Sequence, residues 1–298
     1  MKKRTILSTM LSLVAALVMV LTSTTTANAQ IYAPAEPAGF DAVYYAASNP
    51  DVYAAYGDNY DALLNHYLTY GKFEGRKPYE NAPTYTNTKT AAYNVLFIGN
   101  SITMHPVCDY WWGNYGMAAS APEKDYVHQV ITGLQQKYKT VDYDIVSYSV
   151  WERTGVGNKL VPNLDPILAN NYNLIVIQLG ENSHDLANFE KNYDTLVSYV
   201  SKSNPYARIV LVGDFWTEKG GRDEAKLNVV NKYKTGYVDL SKIRKNKHYI
   251  SSIGATVVGD DGQTHTIEFG PVSVHPNDLT MEAIAQAVLQ IATNAAEH

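Results

Sequence analysis

From residue 92 onward, short apolar runs alternate with longer stretches in which apolar residues recur every three to four positions. The runs at 94–98, 141–150, 173–179, 208–212 and 236–240 have the length of strands, and their near-continuous hydrophobicity predicts strands buried on both faces. Between them, 124–138 carries Tyr126, Val130, Ile131 and Leu134 on one stripe, and 189–200 and 222–233 repeat the helical spacing. Alternation of this kind predicts an α/β domain with a parallel sheet covered on both sides. The pattern breaks at 249–269, where two β-rich runs flank Gly259-Asp-Asp-Gly262 and predict a hairpin. A last helix follows, with Asp278 at its start and Leu279, Ile284, Val288 and Ile291 as the expected buried stripe.

The first 91 residues read differently. Lys2-Lys3-Arg4, an apolar stretch over 6–21 and Ala27-Asn28-Ala29 predict a secretory signal peptide over 1–29, cut before Gln30; an uncleaved membrane anchor is the other reading. A Pro/Ala linker is expected over 30–39. Residues 40–79 are rich in tyrosine and alanine and carry three short helical patterns, 40–47, 51–56 and 60–70, separated by Asn49-Pro50 and Gly57-Asp58. The third places Leu63, Leu64, Tyr67 and Leu68 on one face, with Asp58 or Asn59 as its cap. A Thr/Asn-rich linker is expected over 80–91, and the larger domain over 92–298.

Loss of the leader removes three of the 24 basic residues and leaves 21 against 29 acidic ones, a net charge of −8. That balance gives no footprint for nucleic acid and no attraction to an anionic membrane once the signal peptide is gone. Cys108 is the one cysteine, so export is not accompanied by a disulfide framework; it is expected to be a small buried hydrophobe. No metal-ligand spacing occurs, and no cofactor is expected.

The candidate chemistry lies at strand ends. Gly99-Asn100-Ser101 follows the first strand of the larger domain, where side chains overlook the crevice in which open α/β sheets bind ligands. Ser101 is a candidate nucleophile there, or simply a helix cap. Gly180-Glu181-Asn182 follows a second such strand, and His275-Pro276-Asn277-Asp278 precedes the last helix. His275 is the candidate base, whose ring suits proton transfer near neutrality. His105 and His184 follow strand ends closely enough to line the same cleft. Thr103 replaces the second glycine of a Gly-x-Ser-x-Gly elbow.

The order Ser101, Gly180-Glu181-Asn182, His275-Pro276-Asn277 resembles the SGNH (GDSL-type) serine hydrolase family. The resemblance implies a three-layer flavodoxin-like sandwich and an esterase or acylhydrolase working without a cofactor. It implies Ser101 as nucleophile and His275 as base. It also implies an oxyanion hole from the Ser101 N–H, the Asn182 side chain and a backbone N–H after the second strand. Counting places that last donor at Glu152, with Gly155 as the other candidate. The family's acid three residues before the histidine is replaced by Val272. Either a backbone carbonyl near Val272 accepts from the imidazole, which is the favoured arrangement, or Glu152, Glu181, Asp214 or Glu268 reaches it.

The segment 40–79, ending in Tyr-Gly-Lys-Phe-Glu-Gly-Arg, resembles a small helical module that accompanies secreted and surface proteins of Gram-positive bacteria. Its aromatics either bind cell-wall or polysaccharide ligands or form a core that packs on the larger domain. Export and this module point to an extracellular or cell-surface protein and to O-acetyl esters of a polysaccharide as substrate. Trp111, Trp112 and Tyr115 are candidates for a sugar-stacking rim, or else core aromatics. The alternative from another class is an inactive domain of the same fold that binds glycans or cell wall.

Overall fold

The computed structural model describes residues 29–32, 40–71, 74–82, 91–154, 157–216 and 221–294. The expected signal peptide, residue 29 apart, and most of both expected linkers lie outside these. In chain order the elements are β1 (Ala29–Tyr32), α1 (Ala42–Ser48), α2 (Pro50–Tyr56), α3 (Tyr60–His66), a π-turn (Tyr67–Gly71), β2 (Tyr93–Gly99) and α4 (Tyr126–Gln135). Then come β3 (Val141–Ser147), α5 (Ser149–Arg153), α6 (Gly157–Leu160), α7 (Asp165–Leu168), β4 (Leu174–Gln178), α8 (Phe189–Ser203) and β5 (Arg208–Val212). The chain continues through α9 (Arg222–Tyr233), β6 (Gly236–Val238), β7 (Thr256–Val258), β8 (Thr264–Thr266), α10 (Gly270–Ser273) and α11 (Asp278–Thr293).

Six strands form one parallel sheet in the order β1-β3-β2-β4-β5-β6. Without β1 at the edge, this is the flavodoxin-like order, in which the chain winds one way from β2 to β3 and the other way from β2 to β4. The alternation of side chains along each strand divides the core in two. Val95 and Phe97, Leu174 and Val176, and Val210 and Val212 face a layer that includes α4 and α11. Their neighbours Leu96 and Ile98, Ile175 and Ile177, and Ile209 and Leu211 face α8 and α9. Both sides of every central strand are therefore apolar, and all seven residues of β2 are buried.

The second of these layers also holds the N-terminal helices. Phe40, Tyr45, Val52, Leu63 and Tyr67 join the same apolar cluster as Ile98, Leu196 and Val200. The π-turn packs against α8, and Lys202 Nζ donates to Asn65 Oδ1 at 3.1 Å. Tyr45 and Tyr67 are fully buried, whereas Tyr53, Tyr56, Tyr60 and Tyr70 are exposed. Helix α3 is capped by Asn59, whose side chain accepts from the Ala62 N–H.

Several elements differ from the sequence reading. Part of the expected 30–39 linker is strand: Ala29–Tyr32 pair in register with Tyr143–Val146, extending the sheet beyond β3. The second strand of the larger domain stops at Ser147 instead of running to 150, because α5 begins at Ser149. The last helix is capped by Asn277, which accepts from Leu279 and Thr280. Asp278 instead accepts from the Ser120 N–H and hydroxyl. Leu279 is exposed, and the buried stripe runs through Met281, Ile284, Ala285 and Val288. Cys108 is half-buried at the core's edge. The hairpin forms as expected, with β7 and β8 antiparallel about a turn in which Gly262 adopts φ +73°.

Because the tyrosine core is shared with α8, Tyr67→Ala should destabilise the larger domain as well as its own helices. We expect a loss of about 3–5 kcal/mol in urea unfolding followed by tryptophan fluorescence. An unchanged tryptophan transition would mean that the helices unfold independently.

Candidate active site

Register brings the carboxyl ends of three strands level: Gly99 pairs with Ser147 on one side and with Gln178 on the other. The segments leaving β2 and β4 thus emerge side by side, at the point where the winding of the sheet reverses. After β2 the chain folds into a tight turn: the Asn100 carbonyl accepts from the Thr103 and Met104 N–H groups, and Asn100 Oδ1 from the Ile102 N–H at 3.0 Å. A side chain at Gly99 would overlap Thr103 Oγ1, so close packing of this turn on the strand end requires glycine there. The turn sets Ser101 over the sheet.

His275 reaches the same place from the other end of the chain. It is 5% exposed, and its Nε2 lies 2.8 Å from Ser101 Oγ. Its Nδ1 lies 2.8 Å from the Pro271 carbonyl oxygen in α10. A carbonyl only accepts, so Nδ1 carries the proton and Nε2 presents a lone pair to the serine hydroxyl. Among the described residues, no carboxylate is within hydrogen-bond reach of Nδ1. Glu152, Glu181 and Asp214 belong to a separate buried network, and Glu268 is exposed. Burial holds the imidazole well below the usual histidine range, at about 4, although the Pro271 bond acts in the opposite direction. Trp216 stands edge-on to the ring, with centroids 5.0 Å apart, and is fixed by donating its indole N–H to the Val274 carbonyl.

Ser101, His275 and Asn182 line one open cleft of about 320 Å³, together with His105, Tyr110, Met117, Arg153, Trp216, Phe269, Pro271, Val272 and Val274. Asn182 follows Gly180, which has φ +139° and no room for a side chain beside Asp214 and Lys226. Glu152 is the residue counted as the backbone donor after the second strand. It lies within α5 and is 3% exposed; its carboxylate accepts from Asn182 Nδ2 at 2.8 Å, and the next residue, Arg153, lines the cleft. Gly155 lies outside the described residues. His105 lines the cleft and His184 does not.

Of the two readings offered for Trp111, Trp112 and Tyr115, the core one holds for Trp111 and Tyr115. Trp111 and Tyr115 are buried, and Trp112 stacks on His265 with centroids 4.6 Å apart. The cleft aromatics are instead Tyr110, Phe269 and Trp216, with Tyr110 and Phe269 in mutual contact at 4.7 Å. Tyr110 lies beside the tryptophans in sequence, in a turn closed by the paired backbones of Cys108 and Trp111.

Beneath the cleft runs a continuous buried polar chain. Tyr126 and Thr103 share a 2.7 Å hydrogen bond, and Thr103 Oγ1 donates to Gln178 Oε1. Gln178 Nε2 donates to Glu181 Oε1, and Asn100 Nδ2 donates to both Glu181 Oε2 and Glu152 Oε1. Burial, offset in part by Lys226, raises the Glu181 carboxyl to about 7, and burial also raises Glu152. Among the described residues, no group of three or more His, Cys, Asp or Glu side chains is placed to hold a metal.

No family model matches the sequence, and no curated protein does. Solved structures with a similar chain path include a two-domain esterase active on acetylated mannans, at TM-score 0.46 and 16% identity over 69% of this chain. The match spans about half of that esterase, 51% of its length. TesA matches at TM-score 0.44 and 16% identity, covering 67% of this chain and 98% of its own. A family two carbohydrate esterase from Clostridium thermocellum matches at TM-score 0.42 and 19% identity, covering 67% of this chain and 63% of its own.

The depressed basicity of His275 has a direct readout. Its ring should stay neutral through pH 5 and titrate at about 4 by NMR of labelled histidine. The unfolded chain takes up this proton near the ordinary value of about 6.5, so stability should fall as pH drops from there towards 4. A midpoint near 6.5 would show a solvated ring.

Proposed function

We propose that this protein is a serine esterase whose nucleophile is Ser101 and whose general base is His275. The reading is carried by one observation: the 2.8 Å contact from Ser101 Oγ to His275 Nε2, with Nδ1 committed to the Pro271 carbonyl. Ser101 Oγ attacks the ester carbonyl carbon while its proton passes to Nε2. The carbonyl oxygen becomes an oxyanion, stabilised by the Asn182 carboxamide and the Ser101 backbone N–H. Collapse breaks the bond to the alcohol, which leaves with the proton from Nε2 and generates an acyl-serine. Water, deprotonated by Nε2, then attacks the acyl carbon, and the proton passes from Nε2 to Ser101 Oγ as the acid leaves. The Pro271 carbonyl takes the tautomer-fixing part of a triad acid, but supplies no negative charge to the imidazolium.

The form of the cleft supports a substrate class. It is open, with room for a small acyl group, and Tyr110, Phe269 and Trp216 offer flat apolar faces of the kind on which sugar rings stack. We assign it O-acetyl esters of a polysaccharide, met outside the cell after removal of the leader read over 1–29. The exposed tyrosines of the N-terminal helices, Tyr53, Tyr56, Tyr60 and Tyr70, offer a second place for a polysaccharide or cell-wall ligand.

Turnover of p-nitrophenyl acetate tests the chemistry. Ser101→Ala and His275→Ala should abolish it, and Asn182→Ala should lower kcat by about 10²–10³. A fluorophosphonate should label wild type at Ser101 and leave Ser101→Ala unlabelled. Equal turnover by wild type and Ser101→Ala would leave glycan binding without catalysis as the function. Release of acetate from acetylated mannan or xylan, set against release from short acyl esters of simple alcohols, tests the substrate class.

A further inference from the structure

We infer that Glu152 is a positioning residue for the oxyanion hole: its buried carboxylate holds the Asn182 carboxamide with Nδ2 as the donor end. The inference rests on the catalytic reading of Asn182 above and goes beyond it, because Glu152 touches no substrate.

Four N–H groups converge on this carboxylate. Oε1 accepts from the Gly180 N–H at 2.5 Å, from Asn100 Nδ2 at 3.2 Å and from the Asn182 N–H at 3.4 Å. Oε2 accepts from Asn182 Nδ2 at 2.8 Å. An ionised carboxylate has no hydrogen to give and suits a corner made only of donors. The same side chain thus grips both the backbone and the side chain of the segment after β4, and ties it through Asn100 to the turn that carries Ser101.

The contact also fixes which way the amide points. Asn182 can present oxygen or nitrogen in the same space, since the two ends of a carboxamide have nearly the same shape. Only nitrogen can face Glu152, so one N–H of Nδ2 is held there and the other is left for a developing oxyanion. A catalytic donor must be aimed before the charge appears, since reorienting it during the reaction forfeits the advantage. Within α5 the work is divided: Glu152 points into the protein, while Arg153 lines the cleft.

Glu152→Gln separates aiming from packing. Gln keeps the size of the side chain but replaces one acceptor by an amide. With its oxygen at the three-donor corner, its NH₂ meets Asn182 Nδ2, and the Asn182 carboxamide must turn over to offer Oδ1. Asn182 is then present but misdirected. We expect kcat on p-nitrophenyl acetate to fall about ten- to a hundredfold with KM little changed. In an Asn182→Ala background, Glu152→Gln should cost no more than about twofold further, because the group it acts on is gone.

A purely structural role for Glu152 would instead multiply through, giving the same loss in both backgrounds, and that result overturns the inference. So does an unchanged kcat in Glu152→Gln when Asn182→Ala is impaired. An unimpaired Asn182→Ala, by contrast, removes the oxyanion role of Asn182 and leaves the Ser101–His275 chemistry to its own test. If Glu152→Gln does not fold, Glu152→Asp keeps the buried charge while drawing it back by one methylene, and the same cycle is run with it.

Discussion

Asn100 is the side chain on which the arrangement of this cleft depends. Its carboxamide nitrogen lies between two buried carboxylates and donates to both, at 3.2 Å to Glu152 and 2.9 Å to Glu181. Its oxygen holds the turn that presents Ser101. Two acids out of water repel each other and are costly to bury unless every lone pair has a donor. Here the donors come from the segments that must be held in place: Gly180 and Asn182 after β4, Phe215 after β5 and Gln178 within β4. Satisfying the carboxylates and assembling the site are one and the same requirement.

This explains why the surrounding residues depart from a simple hydrophobic floor. Thr103 is part of the polar chain, bonded to both Tyr126 and Gln178, and Gly99 must be bare so that Thr103 can pack against it. Gly180 leaves space for Asp214 and Lys226, a buried ion pair 2.7 Å apart whose lysine also donates to the Val212 carbonyl. The strand ends are joined by polar contacts of fixed geometry, while the apolar faces on either side supply bulk burial. The imidazole is treated differently: its Nε2 meets the Ser101 hydroxyl, and its Nδ1 is held by the neutral Pro271 carbonyl and not by an acid of this network.

Much of this was legible in the chain, for definite reasons. The central strands announce themselves because both faces are covered, which leaves unbroken apolar runs such as 94–98. Ser101, Asn182 and His275 stand within two residues of glycine or proline at element boundaries, where side chains overlook a cleft. Val272 in place of an acid pointed to a carbonyl partner, and the carbonyl used is that of Pro271. What could not be read was direction. The Glu152 carboxylate is an example, because the strand stops at Ser147 and α5 follows at Ser149, with the side chain buried. Trp111 and Tyr110 are adjacent and similar in kind, and only the folded loop decides which is core and which is rim. The edge strand Ala29–Tyr32 is too short and too close to a proline-rich stretch to have a periodicity of its own.

The shared tyrosine core has a bearing on how this chain is made. Residues 40–67 leave the ribosome early, yet the apolar surface that covers them belongs in part to α8, far downstream. Until that helix emerges, Phe40, Tyr45 and Tyr67 have only one another, in a unit of a size that is marginal on its own. Contacts between distant parts of a chain form late and lengthen the time during which sticky surface stays uncovered. A polypeptide built this way keeps that apolar surface uncovered until α8 has been synthesised.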